Sequence, residues 1–126
     1  MFFEIYTTES FIEDYDKLTK IEQRRIDKIK EQLKTNPYAG KPLGYEFFRE
    51  KRLNGKRLYY LIFQDVVVVL LVAYSDKKSQ QATIDAIRRT IDVYRKDIYD
   101  RFKKNTLIKF LYSAGFYVFH AFDKLD

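Results

Sequence analysis

The stretch that decides the fold is FFREKRLNGKRLYYLIF, residues 47–63. Two β-favouring runs flank Asn54-Gly55. An Asn-Gly pair between such runs is the strongest short hairpin signal, because both residues tolerate the positive φ of a tight turn. A strand is therefore expected over Phe47 to Leu53 and a return strand over Arg57 to Gln64. Alternation puts Phe47, Arg49, Lys51 and Leu53 on one side of the first strand, with Phe48, Glu50, Arg52 and Asn54 on the other. Arg57, Tyr59, Leu61 and Phe63 share a side of the second. Five basic side chains fall within residues 49–57. Like charges facing each other across a ladder destabilise it. A chain that keeps them there either solvates them or uses them to hold an anion, and the turn is expected to bring Arg57 close to the basic positions across from it.

The surrounding elements follow from local signals. Phe2 to Tyr6 reads as a strand. Thr7-Thr8-Glu9 supplies a helix cap with an acid in the first turn, and Phe11, Tyr15 and Leu18 recur at helical spacing. Thr19-Lys20-Ile21-Glu22 is a capping-box pattern that restarts the helix. Ile21, Ile26, Ile29 and Leu33 form the next apolar stripe, and Asn36-Pro37 ends it. Gly40 to Gly44 reads as a loop. Val66 to Tyr74 is almost continuously apolar and β-branched, as a strand covered on both faces is. From Asp76 or Ser79 to about Lys103 a long helix is expected. Ile84, Ile87, Ile91, Tyr94 and Ile98 lie along one face, with Arg88, Arg89, Arg95 and Lys96 opposite. The fold class is α+β: a small, mostly antiparallel sheet of about four strands packed on two N-terminal helices, then a long C-terminal helix and an apolar tail. Residues 1–104 form the domain. Residues 105–126 form an apolar extension that packs on it or closes a homodimer.

Composition bounds the chemistry. The chain has 126 residues, no cysteine and one histidine, His120. Disulfides, thiolate metal sites and multi-histidine sites are therefore ruled out, and no metal or other cofactor is expected. No apolar run is long enough to span a bilayer, and the N-terminus lacks the basic start of a signal peptide. A cytoplasmic location and no membrane partner are expected. The net charge of +6 is concentrated, with +4 over residues 49–57 and +3 over residues 79–104. Such a patch attracts phosphate-rich partners, though a solvated, solubilising surface is the plain alternative.

Several phrases together resemble the RelE/ParE toxin superfamily of type II toxin–antitoxin systems. They are the N-terminal strand and helical pair, LKTNPYAGKPL (33–43), FFREKRL (47–53), GKRLYYLIF (55–63) and VVVVLLVAYSDKK (66–78). GKRLYYLIF, with its Lys-Arg-Leu-Tyr-Tyr order, is the most specific. The resemblance implies a metal-free endoribonuclease that cleaves messenger RNA, in the best-known branch on the ribosome. A ribose 2′-hydroxyl attacks the adjacent phosphate and leaves a 2′,3′-cyclic phosphate. Fixed cations lower the barrier of such a reaction. The family's strand arginine falls on Arg57, its Lys-x-Lys pair resembles Arg49-Glu50-Lys51, and its second arginine falls near Lys77. Its helical tyrosine falls near Thr83, which cannot replace it. The implied catalytic residues are Arg57, Lys51 and Lys77, and the implied RNA-binding residues are Arg49, Arg52, Lys56, Tyr59 and Lys78. Proton transfer would fall to Lys51, Lys77 or Tyr59, and Arg57→Ala is expected to abolish cleavage with the fold intact. An antitoxin partner is implied. A ParE-like toxin acting on DNA gyrase and a catalytically idle nucleic-acid-binding domain are the alternatives.

Overall fold

A computed structural model describes residues 2–104; the expected extension over 105–126, with His120, lies outside the described residues. The elements run β1 (Glu4–Thr7), α1 (Glu9–Asp16), α2 (Lys20–Thr35), β2 (Lys41–Pro42), β3 (Phe48–Leu53), β4 (Lys56–Phe63), β5 (Val68–Asp76) and α3 (Gln80–Lys104). One five-stranded sheet has the order β1-β5-β4-β3-β2. Only β1 and β5 pair in parallel; the other neighbours are antiparallel. The expected α+β class holds, with one more strand than about four. That strand is β2, two residues inside the expected Gly40–Gly44 loop, pairing Lys41 with Glu50 and Pro42 with Arg49.

The helix signals act as expected. The Thr8 hydroxyl accepts from the Phe11 N–H at 3.1 Å, and the Thr19 hydroxyl accepts from the Glu22 N–H at 3.2 Å. Each satisfies one of the backbone donors a helix start leaves unpaired. Ile26, Ile29 and Leu33 of α2 are buried, while Ile21 is left exposed.

Two apolar cores lie on opposite faces of the sheet. On one, Phe11, Ile26, Ile29 and Leu33 of the N-terminal helices meet Leu53, Leu58, Tyr60, Ile62, Val69 and Leu71. On the other, Ile84, Ile87, Ile91 and Ile98 of α3 meet Phe48, Tyr59, Leu61, Phe63, Val68, Leu70 and Val72. Burying one such aliphatic side chain contributes about 1.5–3 kcal/mol. The near-continuous apolar reading of β5 has its cause here: β5 is covered on both faces.

A bulge in β5 re-aims its end. Tyr59 pairs with Ala73 but Tyr60 pairs with Leu71, which leaves Val72 as the extra residue. Val72 and Ala73 both pack on the α3 side, so the alternation changes parity. Tyr74 turns toward α2, where its hydroxyl donates to Glu22 at 3.1 Å. Ser75 turns to the α3 side, opposite Arg57.

Candidate active site

The hairpin turns at Asn54 (φ 48°) and Gly55 (φ 81°), the signature of the two-residue turn expected there. With a two-residue loop the register is fixed: Leu53 pairs with Lys56, Arg52 with Arg57, Lys51 with Leu58 and Glu50 with Tyr59. Directly opposed residues share a face. Arg52, Arg57, Glu50 and Tyr59 therefore lie on the α3 side, and Lys51 lies with Leu58 on the α2 side. The expected convergence of Lys51 on Arg57 is not found. Arg52, exposed at the strand end, is the basic residue across from Arg57.

Arg57 does not stand in open solvent. Its side chain is 5% exposed, and its Nε lies 3.1 Å from Glu50 Oε1; the Glu50 side chain is 1% exposed. The Arg57 Nη1 donates to the Gly55 carbonyl at 2.9 Å, and Gln80, at the start of α3, donates to Glu50 Oε1 at 2.8 Å. The Arg57 Nε–H is not aligned on the carboxylate and is a buried donor with no hydrogen-bond acceptor. The Arg57–Glu50 contact is therefore a charge contact. It leaves one guanidinium donor without an aligned acceptor in a desolvated spot, a costly state.

Beneath this pair the Tyr59 hydroxyl and Ser75 Oγ share a hydrogen bond of 2.9 Å. Burial pushes the Tyr59 phenol up, against the pull of that hydrogen bond. Tyr59 therefore stays protonated near neutrality and is no proton acceptor. Its ring is 0% exposed within the α3-side core, so the expected RNA contact through a stacked base has no accessible ring to use.

Arg49 is also not the surface cation expected. Its guanidinium donates to the Glu46 carbonyl at 2.9 Å, the Gly40 carbonyl at 2.8 Å, the Tyr38 carbonyl at 3.2 Å and Glu46 Oε2 at 2.7 Å. It fastens the segment before β3 to the sheet. Tyr60 completes the clasp by donating to the Pro37 carbonyl at 2.7 Å and accepting from the Gly40 N–H at 3.0 Å. Gly40 is required there, because a Cβ would stand 2.6 Å from the Tyr60 hydroxyl oxygen and 2.7 Å from the Glu50 carbonyl oxygen.

The remaining cations gather at one end of the sheet. Lys56, half-buried, pairs with Asp76, and Lys77 and Lys78 are exposed on the turn into α3. The Asp76 Oδ1 accepts from the Ser79 N–H at 2.8 Å. The Ser79 hydrogen bonds, then Lys56 and Lys78, hold the Asp76 carboxyl below its usual range. The α3 side of this end thus carries Arg52, Arg57 and Glu50, with Lys77 and Lys78 on the adjoining turn; Lys51 and Lys56 belong to the opposite side. Glu50, Ser75 and Gln80 were not singled out by the sequence reading. Arg57→Ala is now expected to cost stability, because it strands the Glu50 carboxylate. Among the described residues no cluster of three His, Cys, Asp or Glu is placed to hold a metal ion.

No protein family matches this sequence, and no curated protein matches it. Solved structures do match. A mutant of Escherichia coli toxin RelE in the free state is 19% identical, with a TM-score of 0.62, covering 71% of this chain and 98% of its own. A mutant of that toxin in complex with an antitoxin RelBc peptide is 20% identical (TM-score 0.57), covering 68% and 95%. The RelE–RelB complex of archaeal Pyrococcus horikoshii is 16% identical (TM-score 0.54), covering 61% and 97%. At these identities the likeness is one of architecture, and the described domain of this chain has the fold of the RelE toxins.

Proposed function

We propose that this chain is a RelE-type toxin that cuts messenger RNA, with Arg57 and Glu50 as the reacting pair. The observation that carries the reading is the Arg57 guanidinium held beside the Glu50 carboxylate, on the sheet face where Arg52 also lies. A phosphoryl oxygen brought against the outer edge of that guanidinium meets the fixed positive charge that a five-coordinate phosphorus needs. The neighbouring Glu50 carboxylate accepts the proton of the ribose 2′-hydroxyl. The 2′-oxygen–phosphorus bond forms, the bond to the 5′-oxygen breaks, and that oxygen takes a proton from the Lys77 ammonium. Arg52, Lys77 and Lys78 gather the strand electrostatically; Lys51 and Lys56 are assigned only to its longer-range attraction. An antitoxin partner is part of the reading, since four of the matching structures hold the toxin with a RelB antitoxin or a peptide of it. So are the cytoplasm and the ribosome, where such a toxin meets messenger RNA. No helix among the described residues is long and apolar enough to cross a membrane.

The test is induction of the chain in a bacterial host, with growth followed and message ends mapped by primer extension. Cuts in messages that disappear with Arg57→Lys support the reading. That variant keeps a cation against Glu50 but loses the planar fork, and losing one such stabilising donor costs about 100- to 1,000-fold in rate. Full cutting by Arg57→Lys removes the assignment.

A second reading is favoured by the burial of Arg57 and Glu50 together and by Thr83 in the place expected for a tyrosine: a RelE fold that binds nucleic acid without cutting it. Normal growth, intact messages and retained RNA binding would select it. Gyrase-linked DNA breaks with intact messages would point instead to the ParE-like activity.

A further inference from the structure

A second cluster of cations and rings lies along α3, away from the Arg57–Glu50 pair. The Tyr45 ring stacks on Phe47 with centroids 4.9 Å apart and planes 22° apart. On Phe47 lies the guanidinium of Arg95, 4.4 Å from the ring centroid. These contacts join an exposed tyrosine, a half-buried phenylalanine and an arginine into one stack, and Tyr45 is 50% exposed. The stack is held in place from two sides. The Phe48 N–H donates to the Tyr45 carbonyl at 3.2 Å, closing the turn before β3. Arg88 Nη2 donates to the Leu43 carbonyl at 3.1 Å, fastening the same loop to α3. Arg88 remains exposed, and Glu46, the acid of that loop, is bonded to Arg49.

We propose that Tyr45 is a stacking platform for a base of single-stranded RNA, with Arg88 and Arg95 meeting the flanking phosphates. A pre-ordered aromatic face beside cations is what sequence-tolerant binding of a single strand requires: every base has a π-face, and the backbone supplies the charge. The platform also lies along the helix that starts at the Arg57–Glu50 pair. Gln80 touches Glu50, and Arg88 and Arg95 follow it on α3 by about 12 Å and about 22 Å at 1.5 Å per residue. A strand with one phosphate on Arg57 reaches them within a few nucleotides. The positive charge favours RNA over an apolar protein surface as the occupant. The proposal rests on the reading of RNA as the substrate and adds where the rest of the strand lies.

The test uses the full chain and a short 2′-O-methyl RNA, which cannot be cut. The chain has no tryptophan, so Tyr45→Trp installs a single indole whose emission is expected to quench as RNA binds. Tyr45→Ala is expected to weaken binding about 5- to 150-fold, the range for loss of one stacked base, while Tyr45→Phe binds like the unaltered chain. Arg88→Gln is expected to lower the salt slope by about 0.7. Unchanged affinity in Tyr45→Ala, or an indole that does not respond at saturating RNA, overturns the platform. Cutting of unmodified RNA with no effect of Tyr45→Ala sinks the platform and leaves the ribonuclease reading standing. A Tyr45 effect without any cutting does the reverse, and absence of RNA binding by the unaltered chain overturns both.

Discussion

Replacing Glu50 by glutamine separates the structural and the chemical roles of the buried pair. The substitution keeps the size of the side chain and an oxygen to accept from Gln80, but removes the charge facing Arg57. Breaking a buried ion pair from one side costs about 3–5 kcal/mol, because the other charge is left uncompensated. Here the pair lacks an aligned hydrogen bond, which argues for the lower end, about 3 kcal/mol. For a domain of about 100 residues, 1 kcal/mol shifts the melting temperature by about 4–8 °C, so a drop of about 12–24 °C is expected. RNA binding should move the other way. A carboxylate and a phosphate about 5 Å apart repel by about 3 kcal/mol at an effective dielectric near 20. Screening leaves a gain in affinity of about 10- to 100-fold. Cleavage should fall, since the proton acceptor is gone. The measurements are thermal melts by circular dichroism, binding of 2′-O-methyl RNA, and cleavage of unmodified RNA. A variant as stable as the unaltered chain, binding no more tightly, would refute the claim that Glu50 neutralises Arg57 in a desolvated site.

Arg49→Met should lower stability by about 2–4 kcal/mol, from the loss of its carbonyl and carboxylate bonds, and leave RNA affinity within about twofold; denaturant midpoints and RNA titrations check both. Gly40→Ala drives a methyl group into the Tyr60 hydroxyl and the Glu50 carbonyl. It should cost more than about 2 kcal/mol, and pairing it with Tyr60→Phe should cost less than the sum of the two, because the changes share one contact. The phenols of Tyr15 and Tyr74 are pushed up to about 12, first by burial and then by hydrogen bonds to Asp27 and Glu22. A group whose proton is held more tightly in the folded state stabilises it fully below pH 10, and that stability is lost as pH rises from about 10 to about 12. Alkaline unfolding should begin in that window, and Tyr74→Phe should remove part of the pH dependence there; equal slopes in both proteins would refute the assignment.

The hairpin shows which part of the site could be read from the chain and which part could not. Once Asn54-Gly55 is taken as a two-residue turn, Arg57 must face Arg52 and Lys51 must face Leu58. The parity of Lys51 was therefore legible, and the expected meeting of Lys51 with Arg57 failed because it followed charge instead of counting across the turn. The same count sets Glu50 opposite Tyr59, on the face of Arg57. A lone acid inside a basic strand was the signal for the buried pair. The burial of Arg49 had no such signal. It depends on carbonyls of Tyr38 and Gly40 that approach only when the chain after α2 folds back onto the sheet edge. The shift in β5 was equally silent, since Val72 and Ala73 sit in a run of β-branched and small residues with no glycine to mark a bulge. Nor does the α3 stripe place its arginines simply opposite the core: Arg88 and Arg95 lie on its flank, against Leu43 and Phe47.

The bulge and the buried pair are one structural decision. Were β5 to keep strict alternation through Val72, with no bulge, Tyr74 and Asp76 would be aimed at the α3 side and Ser75 turned away. Tyr59 would then lose its hydroxyl partner inside the core, and an acid would stand on the face of Arg57 beside Glu50. Two carboxylates against one guanidinium would leave a net negative site, which repels phosphate. With the bulge, Asp76 turns outward to cap the turn into α3, and Ser75 supplies a neutral partner for Tyr59. The single carboxylate left inside matches the single guanidinium. Glu50 can then be held by Gln80 and Arg57 together without cancelling the cations of Arg52, Lys77 and Lys78 at this end of the sheet. The sign of the site is thus set by a change of strand parity fifteen residues along the chain from the arginine it serves.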